Sequence, residues 1–227
     1  AWDERALSAP DDLEARRKLL GSRGLTVPGG ESFVLGFFEG ERLAATGSLV
    51  GDIVQGVAVE REAEGEGGAA TVVTALIKAA MGRGLRHLFL YSKPEEAARF
   101  AALGFTLLAQ ARLPPRPGGA AGLGAALLEW GEPGMEAWLE RLGREAEGKP
   151  RGAGAVVVNC NPFTLGHRYL IESAAKAVPW LYVLVVEEDR SLFPFAARLE
   201  LVRRGTQDIA NLSVLAGGPY VISAATF

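Results

Sequence analysis

The sequence has few of the residues that build metal centres and covalent cross-links. It contains one cysteine, Cys160, and two histidines, His87 and His167, which lie far apart along the chain. A single cysteine excludes an internal disulfide and any site with several cysteine ligands. Two distant histidines argue against a histidine-rich metal centre. The sequence therefore predicts that the chain itself builds no metal site.

The sequence also lacks an excess of charge of one sign and long hydrophobic runs. Its net charge is −3, with lysine and arginine spread along the chain, whereas nonspecific nucleic-acid binding requires a concentrated basic surface. No apolar run is long enough to span a bilayer. The charged stretch Ala1 to Arg5 has no apolar core of the kind found in signal peptides. We therefore predict a cytoplasmic protein with neither nucleic-acid nor membrane partners.

Apolar material is plentiful, because 48% of the 227 residues are hydrophobic, enough for a sizeable core. Two stretches, 112–124 and 145–154, are rich in glycine, proline or small polar residues and are typical of loops and linkers. We predict a first domain over residues 1–130, a helical linker over 131–150 and a second domain over 151–227.

Strand and helix patterns alternate in the first domain. Apolar residues recur with helical spacing over residues 69–82, so that one face of this segment is hydrophobic. The other predicted helices are 11–20 and 95–103, and the predicted strands are 33–38, 43–50, 53–59, 88–91, 105–108 and 123–130.

The second domain shows the alternation of a parallel sheet. Residues 155–158 and 181–186 are continuous apolar strands, as expected when both faces are covered. The remaining predicted elements are a linker helix at 134–147, helices at 166–178 and 195–208, a strand at 212–215 and a weaker fourth strand at 220–222. This order implies right-handed crossovers and a doubly wound α/β sheet.

The strongest chemical signal follows the first strand of the second domain. The loop Asn161 to His167 leads from that strand into a helix that begins near Gly166. Ligands bind at the carboxyl ends of such strands, where a helix N-terminus offers unpaired N–H groups and partial positive charge to a phosphate. Gly166 lets the backbone approach a phosphate without an intervening Cβ atom.

Side chains of the same loop add donors and stiffness. Thr164 and His167 can donate to the phosphate oxygens on which charge builds during attack at phosphorus, while Pro162 stiffens the turn and Asn161 can cap it. The alternative is an ordinary first-turn histidine after an ordinary N-cap threonine. The order strand, loop, tetrapeptide and helix favours the phosphate site.

At these residues the sequence resembles the nucleotidyltransferase superfamily, whose signature is Asp/Asn-Pro-x-Thr/His-x-Gly-His after the first strand. The longer stretch Asn159–Glu172 resembles the citrate lyase ligase family in particular, as do residues 187–195, 198–202 and 220–227. This resemblance covers residues 155–227. Val158 and Cys160 stand where many other superfamily members carry Gly and Phe, which weakens an assignment to the other adenylyltransferases.

The resemblance implies an AMP-forming acid–thiol ligase. ATP and acetate give enzyme-bound acetyl-adenylate and pyrophosphate, and the thiol of a dephospho-CoA-type arm on the citrate lyase acyl carrier subunit takes the acetyl group and releases AMP. A divalent cation, Mg²⁺ in our expectation, balances the triphosphate charge.

The resemblance also implies which residues form the ATP site. Thr164 and His167 are the expected catalytic residues. The second superfamily motif, Ile-Ser-x-x-Thr, is expected to close over the nucleotide. The expected ATP-binding residues are Asn161, Pro162, Phe163, Gly166, Ser223 and Thr226. Arg190 and Arg198 follow the second strand, where either could contact phosphate or pair with nearby glutamates on the surface.

The first domain resembles the GNAT-type acetyltransferases. The resemblance rests on residues 57–59, on the glycine-rich stretch Glu64–Ala69 that opens a helix, and on residues 100–105. It implies that Gly65, Gly67, Gly68 and Ala69 cradle a CoA-like pyrophosphate through backbone N–H groups. Glu64, where Gln or Arg is usual, predicts weak binding. A structural or docking role for the dephospho-CoA arm is favoured over acetyl transfer.

Two other functions remain open at this point. One is another small-substrate adenylyltransferase, of the pantetheine-phosphate or nicotinamide mononucleotide kind. The other is a CoA-binding or acetyltransferase module with a degenerate second domain. Cys160 is a candidate nucleophile or, more often for such a residue, a small packed side chain. The chain stops inside the second motif, at Thr226-Phe227, so we expect a C-terminally truncated fragment that binds ATP poorly and does not turn over.

Overall fold

The structure is a computed structural model, and it describes residues 2–63, 67–112, 124–187 and 192–221. The chain divides between Gly134 and Met135 into two compact units, and the helix expected as a linker groups with the second unit. No helix in these described ranges combines the length and the apolar character that a bilayer crossing requires.

The first unit is an α/β unit built on a mixed sheet. Its strands are β1 (Asp3–Ala6), β2 (Phe33–Glu39), β3 (Arg42–Val50), β4 (Ile53–Val59), β5 (His87–Ser92), β6 (Thr106–Arg112) and β7 (Gly124–Gly131). Its helices are α1 (Pro10–Ser22), α2 (Gly68–Gly82) and α3 (Ala97–Ala101), and short 3₁₀ turns lie at Arg61–Ala63 and Pro94–Glu96.

The sheet of the first unit has the order β1-β2-β3-β4-β5-β7-β6. β4 and β5 pair in parallel at two positions, Ile53 with Phe89 and Val54 with Leu90, whereas the other neighbours are antiparallel. Beyond Val54 the two strands are not paired, which opens a cleft between them.

The predicted apolar face of α2 forms much of the core of this unit. Its buried residues are Gly68, Val72, Val73, Leu76, Ile77 and Ala80. They pack in one cluster with side chains from β2 to β5 and β7, so the helical periodicity in the sequence is confirmed.

The second unit has three parallel strands in the order β10-β9-β8. The strands are β8 (Gly154–Val158), β9 (Leu181–Val185) and β10 (Leu212–Ala216), and the helices are α4 (Met135–Ala146), α5 (Leu165–Ala177) and α6 (Phe195–Gly205). One face of the sheet, including Val158, Val183 and Val185, packs against Ile171 of α5 and Val202 of α6.

The α/β fold class is confirmed, with some differences in detail. β1 was not predicted, because its four residues are all exposed and show no apolar alternation. Residues 95–103 form a 3₁₀ turn and a five-residue helix instead of one longer helix. The predicted fourth strand of the second unit is absent at Tyr220 and Val221, and Ile222 lies outside the described residues.

Candidate functional site

The loop after β8 enters α5 through a reciprocal cap. Thr164 is the N-cap residue, with extended backbone angles (φ −128°, ψ 170°). Its backbone N–H donates to Nδ1 of His167 over 3.1 Å, and its Oγ1 lies 2.8 Å from the same nitrogen. The first helical turn therefore has Thr164 and His167 fixed against each other at the carboxyl edge of the sheet, where phosphate was predicted to bind.

This contact assigns the histidine tautomer. A backbone N–H can only donate, so Nδ1 of His167 must accept. In the neutral ring the proton is then assigned to Nε2, which leaves Nε2–H as the donor that the ring can offer to a ligand. Thr164 is exposed and His167 is half-buried, so the pair is both ordered and accessible.

Gly166 has no packing reason to be glycine. A Cβ atom built there would meet only Thr164 Oγ1, at an ordinary 3.7 Å. The protein interior therefore tolerates a side chain at this exposed position, and the absence of one matters mainly to a group that approaches the helix N-terminus from outside.

The remaining loop residues support the turn. Phe163 stacks near His167, with 6.2 Å between ring centroids and 23° between planes, and its ring occupies the space that a side chain at Gly205 would need. Asn161 accepts a hydrogen bond at Oδ1 from the backbone N–H of Phe193 over 3.0 Å. Asn161 and Pro162 are exposed, and the contact of Asn161 ties the loop to the segment before α6.

Arg198 has a different setting from the one predicted for a phosphate contact. It is fully buried (0% exposed), and it donates to three backbone carbonyls and to the Asn159 side chain. Its side chain is therefore not exposed on the surface, as a direct phosphate contact or a surface ion pair would require. Arg190, the other arginine predicted there, lies outside the described residues.

Cys160 is a packed residue at the end of β8. Its side chain is fully buried, and burial raises the pKa of the thiol to about 11, although the positive charge of Arg198 opposes the shift. The thiol is therefore protonated at neutral pH, and because the thiolate is the reactive form, the geometry favours the packing role over the nucleophile.

The far end of β10 is tied down by two contacts. The backbone N–H of Gly218 donates to Oε1 of Glu187 over 2.9 Å, and Nε1 of Trp138 in α4 donates to the carbonyl of Gly217 over 2.9 Å. The Trp138 contact is one reason why α4 groups with the second unit. The predicted second motif follows directly, but Ser223 and Thr226 lie outside the described residues.

The first unit contains a cleft of about 910 Å³ between β4 and β5. Gly67, Gly68 and Ala69 line it at the N-terminus of α2, whereas Gly65 and Glu64 lie outside the described residues. Gly67 is the N-cap residue with a left-handed φ of 75° and provides no side-chain cap. The cleft thus offers backbone N–H groups and the helix dipole to an anion.

Charged side chains of the cleft are mainly basic. Arg23, Lys93 and Arg99 line it together with one carboxylate, Glu96, and Glu96 is paired with Arg99 over 2.7 Å. This charge suits an anionic ligand. The lining contains no carboxylate–histidine pair of the kind used in general acid–base catalysis, among the residues that the structure describes.

His87 is not among the residues that line the cleft of the first unit. Its Nε2 is 2.8 Å from Oε2 of Glu129, a carboxylate on the neighbouring strand β7, and its ring contacts Phe89 edge-on. Within residues 2–63, 67–112, 124–187 and 192–221, no cluster of three or more histidine, cysteine, aspartate or glutamate side chains is arranged to hold a metal ion.

This geometry defines an α/β protein with a phosphate-type helix N-terminus in its second unit and an anion-suited cleft in its first. Residues 153–227 match the family model described as the citrate lyase ligase C-terminal domain. The chain is 40% identical over 193 residues to the citrate (pro-3S)-lyase ligase of Escherichia coli K12, covering 82% of this chain and 50% of that protein. It is 34% identical over 197 residues to the protein of the same name from Haemophilus influenzae, covering 87% of this chain and 56% of that protein.

The chain is thus similar over most of its length to proteins named citrate lyase ligase, and its residues 153–227 match the C-terminal domain of that family. It spans about half the length of the curated relatives it matches. Among solved structures it is similar to the ribosomal-protein-S18-alanine N-acetyltransferase of Escherichia coli, with a TM-score of 0.46, 18% identity and coverage of 58% of this chain and 94% of that one. It is also similar to a putative GNAT-family acetyltransferase from Desulfovibrio desulfuricans, with a TM-score of 0.47 and 14% identity. That match covers 58% of this chain and 99% of the other.

Proposed function

We propose that the chain contributes to an AMP-forming ligase that activates acetate with ATP and acetylates the thiol arm of citrate lyase. The observation that carries the proposal is the pair Thr164 and His167, fixed against each other at a helix N-terminus on the carboxyl edge of a parallel sheet. The names of the relatives agree with a ligase acting on citrate lyase.

In the first step, a carboxylate oxygen of acetate attacks the α-phosphorus of ATP. The bond from that phosphorus to the bridging oxygen breaks, pyrophosphate leaves, and acetyl-adenylate forms. Negative charge grows on the non-bridging oxygens as the bonds change. Donors that are already fixed there, such as Nε2–H of His167 and the N–H groups of the first α5 turn, stabilise that charge without reorganising.

In the second step, the sulfur of the arm attacks the acetyl carbon, the thiol proton is lost and AMP leaves. The basic cleft of the first unit fits the anionic backbone of a dephospho-CoA-type arm, with Lys93 and Arg99 in its lining. We propose a docking function for this cleft. The absence of an acid–base pair from its described lining supports docking over acetyl transfer.

Mg²⁺ fits the proposal as a partner of the nucleotide. The described residues contain no carboxylate cluster for it, so the triphosphate oxygens and water are the expected ligands, as is usual for this ion. When bound, the ion neutralises triphosphate charge, while Thr164 and His167 orient the α-phosphate.

Acetate-dependent exchange of radiolabelled pyrophosphate into ATP tests the proposal. In the complete enzyme we expect exchange that requires acetate and that His167→Ala strongly reduces, while Ser173→Ala, an exposed change on the same helix, leaves it unchanged. Exchange that depends on pantetheine phosphate or nicotinamide mononucleotide as the adenylyl acceptor, and not on acetate, would indicate the adenylyltransferase alternative. Tight acetyl-CoA binding without ATP binding would indicate an acetyltransferase module.

A further inference from the structure

Arg198 brings together the three backbone segments that surround the candidate phosphate site. Its Nη1 donates to the carbonyl of Asn159 at the end of β8 over 2.9 Å and to the carbonyl of Val186 at the end of β9 over 2.8 Å. Its Nε donates to the carbonyl of Phe193, just before α6, over 3.0 Å. One side chain therefore joins two strand ends and a helix entry.

Burial makes these bonds strong determinants of structure. The guanidinium is fully shielded from water, so each N–H must find a protein acceptor or leave a costly unpaired donor. Charge-assisted bonds of this kind are about twice as strong as neutral ones. The carbonyls cannot move far without losing them, and the backbone beside each is held accordingly.

The segment held in this way has an unusual backbone. Cys160, directly after Asn159, is the one non-glycine residue with positive φ (50°) in the described part of the chain. A left-handed residue with a side chain costs about 1 kcal/mol, so surrounding contacts must maintain it. The bonds of Arg198 on one side and the Asn161–Phe193 bond on the other provide such contacts.

We infer that Arg198 is a positioning residue, which holds the loop 159–164 so that Thr164 and His167 meet the nucleotide phosphates. This inference rests on the function proposed above. Arg198 acts through the backbone and touches no substrate, in contrast to the direct phosphate contact predicted from the sequence.

Cys160 provides the experimental probe. It is the single thiol of the chain and lies next to the bonds in question, so its rate of reaction with Ellman's reagent under native conditions reports opening of the loop. Arg198→Lys keeps the positive charge, but lysine carries all its N–H donors on one nitrogen. Arginine donates to the Phe193 carbonyl from Nε and to the strand-end carbonyls from Nη1, so lysine cannot replace both sets of bonds. Arg203→Lys, an exposed change on the same helix, is the matched control.

We expect Arg198→Lys to accelerate thiol labelling about tenfold or more, with a rate that is independent of low urea concentrations, and to weaken ATP binding by calorimetry about tenfold. Arg203→Lys should change neither. Labelling at the wild-type rate in folded Arg198→Lys would overturn the inference. A labelling rate that rises steeply with urea would mean that the thiol reacts only after global unfolding. That result would also overturn the inference, because Arg198 would then stabilise the whole fold and not the loop in particular.

A second variant covers the case in which Arg198→Lys does not fold. Asn159→Ala removes the side-chain amide, whose Oδ1 lies 2.9 Å from Nη1 of Arg198, but keeps the backbone acceptors and Arg198 itself. We expect it to accelerate labelling about threefold; an unchanged rate would contradict the inference. If the complete wild-type enzyme binds no ATP, the proposed function fails. The labelling comparison still decides separately whether Arg198 holds the loop.

Discussion

Each unit has a glycine in the first turn of a helix that faces a candidate ligand site, but the two glycines have different causes. A Cβ atom at Gly68 would lie 2.8 Å from the Trp2 ring and 3.0 Å from Val59, so internal packing requires glycine there. A Cβ atom at Gly166 would meet only a hydroxyl at 3.7 Å. Packing explains the first glycine, whereas the second has no packing cause and leaves room for the phosphate that we propose binds there.

The same contrast extends to two arginines that are buried among the described residues. Arg16 of the first unit bonds Glu31 through two nitrogens, at 3.0 and 2.5 Å, and reaches Thr46 and Ser48 of β3. Arg198 of the second unit bonds the backbone around a loop. The first unit therefore uses its buried cation to support the sheet, and the second uses it to shape a site.

The largest expected effect concerns the first arginine. Arg16→Met leaves the Glu31 carboxylate buried without its partner, and breaking a buried pair costs about 3–5 kcal/mol, so urea should unfold the first unit at a much lower concentration. The double variant Arg16→Met/Glu31→Gln should recover part of the loss. Equal midpoints for wild type and single variant would show that this ion pair does not support the fold.

The next effect concerns chemistry in the second unit. His167→Ala should reduce acetate-dependent pyrophosphate exchange by about 10²–10³-fold, the usual cost of one donor to developing negative charge, while far-UV circular dichroism stays unchanged. Ser173→Ala is the matched control. Near-normal exchange by the alanine variant would remove His167 from the mechanism and leave Thr164 an ordinary cap.

A smaller expected effect is the loss of folding stability at alkaline pH that the buried Cys160 thiol causes. Its folded pKa, about 11, lies above the ordinary value of 9.0, so the native state holds the proton more tightly than the unfolded chain. Stability is therefore complete below pH 9 and falls by about 2 kcal/mol as pH rises to about 11. Cys160→Ala should remove this part of the alkaline loss, as measured by urea unfolding at pH 8 and pH 11. Parallel losses in both proteins would contradict the assignment.

The smallest effect is the difference between the two glycines in stability. Gly68→Ala forces Trp2 or Val59 to shift and should cost about 1 kcal/mol, whereas Gly166→Ala should change the free energy of unfolding by less than about 0.5 kcal/mol. Gly82→Ala, at a helix position with open space, is a control for the substitution itself. Equal losses of unfolding free energy in Gly68→Ala and Gly166→Ala would contradict the claim that packing requires glycine only at position 68.

The sequence predicted the local parts of this picture better than the assembled ones. The apolar periodicity of α2 and the apolar runs of β8 and β9 were sufficient, because each buries a face set by its own spacing. The Thr164–His167 cap, at the N-cap and N3 positions, was also within reach, since a side-chain acceptor three residues after a threonine is a recognisable capping pattern.

Arg198 could not be interpreted from the sequence. Its acceptors come from residues 159, 186 and 193, which only the parallel arrangement of β8 and β9 brings together. Its position after a strand suggested a phosphate contact, whereas the structure shows a buried side chain bonded to the backbone around the loop. Strand β1 was not predicted for a related reason. Its composition does not indicate a strand, and only its pairing with β2, which is distant in sequence, makes it one.

Titration of ATP into the complete enzyme, as wild type, Gly166→Ala and Gly68→Ala, by calorimetry tests the central claim most directly. If the start of α5 is the phosphate site, Gly166→Ala should weaken ATP binding about tenfold or more at unchanged stability, while folded Gly68→Ala binds ATP as wild type does and loses affinity only for dephospho-CoA. Wild-type ATP affinity in Gly166→Ala, or loss of ATP binding in folded Gly68→Ala, would contradict the account.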